Sequence, residues 1–168
     1  SAHGGITLRL QSSDPALALV SVEYDAIPTE SVDIFVPDGQ NRVYYFVNGM
    51  EGVTGNVGIS ASSPGFITGT ASVDVVQAAL RIDNLLADIT TLSANDVFNV
   101  TLGIPTADNS NLLEIQQIRI GGVSLTASLT NSTAIIGRLV KDSVVSQLTT
   151  VQIDPGQSTS PMYGAGSV

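Results

Sequence analysis

Short runs of alternating apolar and polar residues, each closed by turn chemistry, constrain this chain more than any other feature. Ile6, Leu8 and Leu10 alternate along the first run, Val32, Ile34 and Val36 along the second, and Val43, Tyr45 and Val47 along the third. The pattern returns at Val57, Ile59 and Ala61, at Ala71, Val73 and Val75, and at Phe98, Val100, Leu102 and Ile104. It appears once more at Val123, Leu125, Ala127 and Leu129. A period of two places such side chains on one face of a β-strand. The runs end at Pro37-Asp38-Gly39, Asn48-Gly49, Ser63-Pro64-Gly65, Ile104-Pro105 and Asp154-Pro155-Gly156, residue types that set the φ angles of tight turns. Strands spaced roughly every 8–12 residues between such turns predict an all-β sandwich or barrel.

Residues 75–88, VVQAALRIDNLLAD, carry the one pattern that also fits a helix. Their flanking strands favour a different reading: a strand end, a tight linker and the first strand of a second domain. Composition agrees with a β-rich core. Of the 168 residues 43% are hydrophobic, while only 12% are charged, about half the usual share. The net charge of −9, with five arginines and one lysine scattered along the chain, excludes the clustered cations that nucleic-acid phosphates require. No apolar run reaches membrane-spanning length. The absence of cysteine leaves the redox compartment open.

An internal repeat organises the chain. Residues 4–40 read GGITLRLQSSDPALALV…VDIFVPDGQ and residues 121–157 read GGVSLTASLTNSTAIIGRLV…TTVQIDPGQ. Both segments open on Gly-Gly and close on an apolar strand, a Pro/Asp turn and Gly-Gln, with the glycine pairs 117 residues apart. A two-residue insertion in the second copy aligns Leu10 with Leu129 and Ser13 with Ser132. In the second copy the run LLEIQQIRI precedes the glycines, so IRI-GG-VSL predicts a hairpin with both glycines at positive φ. The first copy has no such preceding strand, and the second ends soon after Gln157. The chain therefore reads as the back of one module followed by the front of the next.

The motifs LQSSDPALALVS, VPDGQ and GNVGISASSPGFITGTASVDV resemble those of the tandem immunoglobulin-like repeats of large bacterial cell-surface and adhesin proteins. The resemblance rests on Ser12 to Pro15, Pro37 to Gln40 and Ser62 to Phe66; it covers residues 4–76 well and residues 80–157 more loosely. It implies two immunoglobulin-like β-sandwich modules: residues 1–77, lacking leading strands, and residues 78–168, lacking final strands. The role it implies is that of a structural module outside the cell or on its surface: a spacer, fibre or surface-layer building block. The implied partners are adjacent repeats of the same long chain, or neighbouring identical subunits joined by β-strand addition. The rival reading is a carbohydrate- or protein-binding adhesin module, stabilised by calcium.

No catalytic, cofactor-binding or metal residue stands out, and the chain reads as non-enzymatic. The sole histidine, His3, lies at the terminus and there is no cysteine, so a base beside a nucleophile is lacking. Glu23, Asp25, Glu30 and Asp33 read as a solvated acidic face. No cofactor is expected. Calcium is the one cation the loops would suit, through Asp108, Asn109, Asn111 and Glu114, with another carboxylate at Asp38. That spacing does not fit an EF-hand, and Asn and Asp are also ordinary turn residues. Lys141, the only lysine, sits beside Asp142 in an expected exposed turn, a poor setting for a Lys–Asn isopeptide bond. Asn99 and Asn131 open N-x-T sequences of the glycan-acceptor type. Tyr44, Tyr45 and Phe46 form the one aromatic cluster, where alternation puts Tyr45 on one face and Tyr44 and Phe46 on the other, either exposed as a sugar platform or interface patch or filling the core at a domain boundary.

Overall fold

The structure, a computed structural model, describes residues 4–167, the last five by backbone alone. His3 therefore lies outside the described residues. The chain is all-β, built from several antiparallel sheets, and it divides into two compact units. One comprises Ser1–Gln77 with Arg119–Gly122, the other Ala78–Ile118 with Val123–Val168.

The first unit holds β1 (Ile6–Ser12), β2 (Ala18–Ser21), β3 (Ser31–Val36), β4 (Phe46–Gly49), β5 (Gly55–Ser62) and β6 (Gly69–Val75). They form a four-stranded sheet in the order β3-β1-β5-β6 and a two-stranded sheet, β2-β4. Alternation decides which residues go inside: Leu10, Ala18, Val20, Val36, Val57 and Ile59 are buried. Burying an aliphatic side chain of the Val, Leu or Ile size contributes about 1.5–3 kcal/mol. Ala71 and Val73, on the edge strand β6, alternate equally well yet stay exposed, because alternation sets which residues share a face and not whether that face is covered.

The second unit holds β7 (Ala79–Asp83), β8 (Asp96–Pro105), β9 (Leu112–Ile115), β10 (Leu125–Thr130), β11 (Gly137–Lys141), β12 (Val144–Ser146), β13 (Leu148–Ile153) and β14 (Tyr163–Ser167). One sheet runs β12-β11-β14-β8-β7, with β9 also paired to β8; β10 and β13 make a second. Phe98 and Val100 of β8 pack with Ile118 against Ala127, Leu129, Val151 and Ile153 of the β10–β13 pair. Residues 75–88 contain the end of β6, a short connection and β7, as the strand–linker–strand reading expects.

The internal repeat is a structural repeat. β1 pairs β3 with Ile6 opposite Val36 and Leu10 opposite Val32. β10 pairs β13 with Leu125 opposite Ile153 and Leu129 opposite Thr149. This is the register that the two-residue insertion requires. The turns match as well. Leu17 and Ala18 donate their N–H groups to the Asp14 carbonyl, as Ile136 and Gly137 do to that of Thr133. Gln40 N–H closes on Pro37 O at 3.1 Å with Gly39 at φ +83°, and Gln157 N–H on Asp154 O at 2.9 Å with Gly156 at φ +81°. Glycine at that third position is what a type II turn demands. β2 then pairs β4, and β11 pairs β14, the second pairing shifted by one residue.

Three expectations change. The glycines at 121 and 122 do not close a hairpin of IRI with VSL: only Gly121 has positive φ, and Gly122 N–H bonds back to Arg119 O. The backbone of Ile118 is engaged elsewhere, donating to Gln157 O and accepting from Gly156 N–H, so that run pairs with the turn after β13. The strand expected over Val43, Tyr45 and Val47 begins only at Phe46. Asn48-Gly49 lies inside β4 and makes no turn, because both residues pair with β2 and Asn48 Nδ2 donates to Ser21 Oγ at 3.2 Å.

Candidate functional site

A concavity of the first unit opens beside β1. Its walls are Ile6 and Leu8 of β1, Val36 at the end of β3, the segment 39–43, and Phe66 from the turn between β5 and β6. It encloses about 330 Å³, near the lower limit for ligand-binding pockets. Ile6, Leu8 and Val43 are only half-buried, and residues 41–45 belong to no strand. Apolar side chains therefore line an opening whose rim carries backbone and the polar groups of Gln40, Asn41 and Arg42. No acid–base pair or nucleophile stands in this lining.

The sequence-predicted residues lie elsewhere. Glu23, Asp25, Glu30 and Asp33 are all exposed, and the Asp33 carboxylate meets Arg9 at 3.5 Å. Asp108 is enclosed by its own loop: the hydroxyls of Thr106 and Ser110 donate to it at 2.6 and 2.8 Å, and Ser110 N–H at 3.2 Å. Asn111 Oδ1 accepts from Arg81 and from Leu112 N–H, both at 2.8 Å, while Glu114 lies on exposed β9. Asp38 accepts Gly4 N–H at 3.0 Å. Asp108, Asn111 and Asp38 thus serve internal hydrogen bonds, while Asn109 takes up the turn at φ +56°. No group of three or more His, Cys, Asp or Glu side chains that would hold a metal ion occurs among the described residues.

Comparison with known protein families, with curated proteins and with solved structures finds no match to this chain.

The hydroxyl of Thr106, then that of Ser110 and its N–H, hold the Asp108 carboxyl down at about 2. Hydrogen bonds to the ionised form favour it. A folded-state pKa below the ordinary 3.8 means that this loop's contribution to stability is complete above about pH 4 and is lost as pH falls through about 2. An NMR titration of the Asp108 side chain in the folded chain is expected to show that low midpoint, and a midpoint at the ordinary value would overturn the loop geometry.

A second polar network lies on β7 and β8. Arg81 grips Asp83 at 2.6 and 3.1 Å and reaches Asn111, while Thr101 donates to the same carboxylate. The Arg81 hydrogen bond lowers the Asp83 pKa and raises that of Arg81. Asn99 is buried and joined to Asn84 and Thr101. Its amide is committed to the interior of the fold, which is a poor setting for a glycan. Asn131 also turns its amide inward, toward the carbonyls of Gly137 and Thr133.

Lys141 precedes the two-residue turn of Asp142 and Ser143, both at positive φ, and its Nζ donates to Thr150 O at 2.7 Å. Tyr44 and Phe46 are both exposed, as the alternation allows. Tyr44 is 82% exposed, while Phe46 meets Tyr24 edge-on at 5.6 Å. Sequence reasoning missed Tyr24 because it belongs to a different run, and missed the cleft because alternation shows which face is apolar and not whether it is covered.

Proposed function

We propose that the chain is a non-catalytic structural part of an extracellular or cell-surface repeat protein, a spacer, fibre or surface-layer building block made of immunoglobulin-like β-sandwich modules. The observation that carries this reading is the structural repeat. The strands β1, β2, β3 and β4 recur as β10, β11, β13 and β14, with the same turns and, in β1–β3 and β10–β13, the same register. A chain that repeats a strand-and-turn frame builds length by stacking like units. Antiparallel ladders transmit tension along such a frame, and a short connection such as residues 76–78 limits bending. Low charge and a hydroxyl-rich surface suit exposure to solvent outside the cell.

The test is labelling of cells that carry the protein with an antibody raised against this chain. Intact cells are expected to label. Labelling only after permeabilisation would overturn the placement outside the cell, and saturable binding on a glycan array would replace the structural role with that of an adhesin module.

A further inference from the structure

The repeat allows the two units to be read against each other, position by position. In the second unit the partners of Ile6, Leu8 and Val36 are Leu125, Ala127 and Ile153. There Ala127 and Ile153 are buried beneath Phe98, Val100 and Ile118, and Leu125 packs against the same cluster. In the first unit Val36 is buried as Ile153 is and Ile6 is half-buried as Leu125 is, but Leu8, unlike the buried Ala127, stays half-buried and lines the cleft. The rim repeats as well. Asn41, Arg42 and Val43 correspond to Ser158, Thr159 and Ser160, 117 residues on. In the second unit those residues carry a strand: Leu102 N–H donates to Ser158 O and Ser160 N–H to Val100 O, each at 2.8 Å, with Thr101 bridged to Thr159. Val100 N–H also donates to the buried hydroxyl of Ser160. β14, the counterpart of β4, continues the same ladder against residues 96–98 of β8. Among the described residues of the first unit, β4 pairs only β2.

We propose that the cleft beside β1 is the acceptor groove for an extended strand of the β8 type, a segment with large apolar residues at alternate positions. Its apolar side chains extend over Ile6 and Leu8, beside the already buried Val36, as Phe98 and Val100 of β8 extend over the counterparts. Its backbone bonds to residues 41–43 and runs antiparallel to β4. This is β-strand addition in which main-chain bonds give affinity and alternate side chains give selectivity. The occupant is identified by what fills the same place in the other copy of the repeat. This inference rests on the structural-module reading and adds to it a specific joint: the frame of one module is completed by a β8-like strand.

The experiment uses the full chain with a copy of residues 78–120 inserted directly before Gly4, the connection that Ile120 makes to Gly121. Amide hydrogen exchange of residues 41–45, which belong to no strand, is expected to slow by about a hundredfold, since these groups move from an open rim into a ladder. The same insertion carrying Phe98→Ser and Val100→Ser in the added copy alone is expected to give no such protection. Equal protection from both insertions, or from neither, overturns the proposal. Protection that appears in the unmodified chain and grows with protein concentration also overturns it, in favour of a second copy of the chain as occupant. None of these results bears on surface labelling, so the joint and the structural role fail separately.

Discussion

Ile153→Asp in the full chain is expected to erase the cooperative unfolding of the second unit and leave that of the first in place. Ile153 has no exposed surface and lies opposite Leu125, in a cluster with Phe98, Val100, Ile118 and Val151. A carboxylate there has no cation or donor to meet it, and burying one uncompensated costs several kcal/mol. A unit of roughly 90 residues has only about 4–13 kcal/mol of stability in total. Hydrogen exchange followed by segment checks the outcome: β8, β10 and β13 should lose protection while β1 and β5 keep theirs. Simultaneous loss in both units would show that they unfold as one. Ile153→Val, which removes a single methylene, should cost only about 1 kcal/mol and preserve both transitions.

Gly103→Ala is expected to destabilise the second unit by about 3 kcal/mol, the upper end for an overpacked site. Gly103 sits in the middle of a sheet, paired with Ala79 on β7 and with Ile115 on β9. A Cβ atom there would lie 2.1 Å from the Glu114 carbonyl oxygen and 3.0 Å from its carbon. Backbone cannot yield as a side-chain tip can, so β9 must move away from β8 and the ladder at Ile104 and Glu114 opens. Gly69→Ala is the control. No atom lies within 4 Å of a Cβ at Gly69, and losing glycine's unfolded-state freedom at an accommodating position is neutral or slightly stabilising. Thermal unfolding of the two variants should therefore differ clearly, and equal midpoints would overturn the close approach of β9.

Much of the strand framework was legible in the residues. Leu10, Val36, Val57, Phe98, Val100, Ala127 and Leu129 all alternate and are all buried. The turns at Pro37-Asp38-Gly39, Ser63-Pro64-Gly65 and Asp154-Pro155-Gly156 form with their glycines at positive φ. The alignment of the two repeats anticipated the register of β10 with β13. Asn48-Gly49 misled, because its turn propensity yields to cross-strand pairing with β2. The apolar face of Ala71 and Val73 misled too, since an edge strand buries a face only where something lies over it. The cleft was invisible for the same reason. Leu8 and Ala127 follow the same pattern, yet only Ala127 has Phe98, Val100 and Ile118 in its core.

By itself the sequence determined what is local: which stretches are extended, which residues can turn, which side chains share a face, and that one frame occurs twice. Those properties depend on φ preferences and a two-residue period, and they act over a few residues. Only the tertiary structure decided which faces and edges are covered. Cover comes from strands distant in the chain, as β8 covers β10 and β13 in one unit. In the other unit the matching frame of β1 and β3 is left with an open groove.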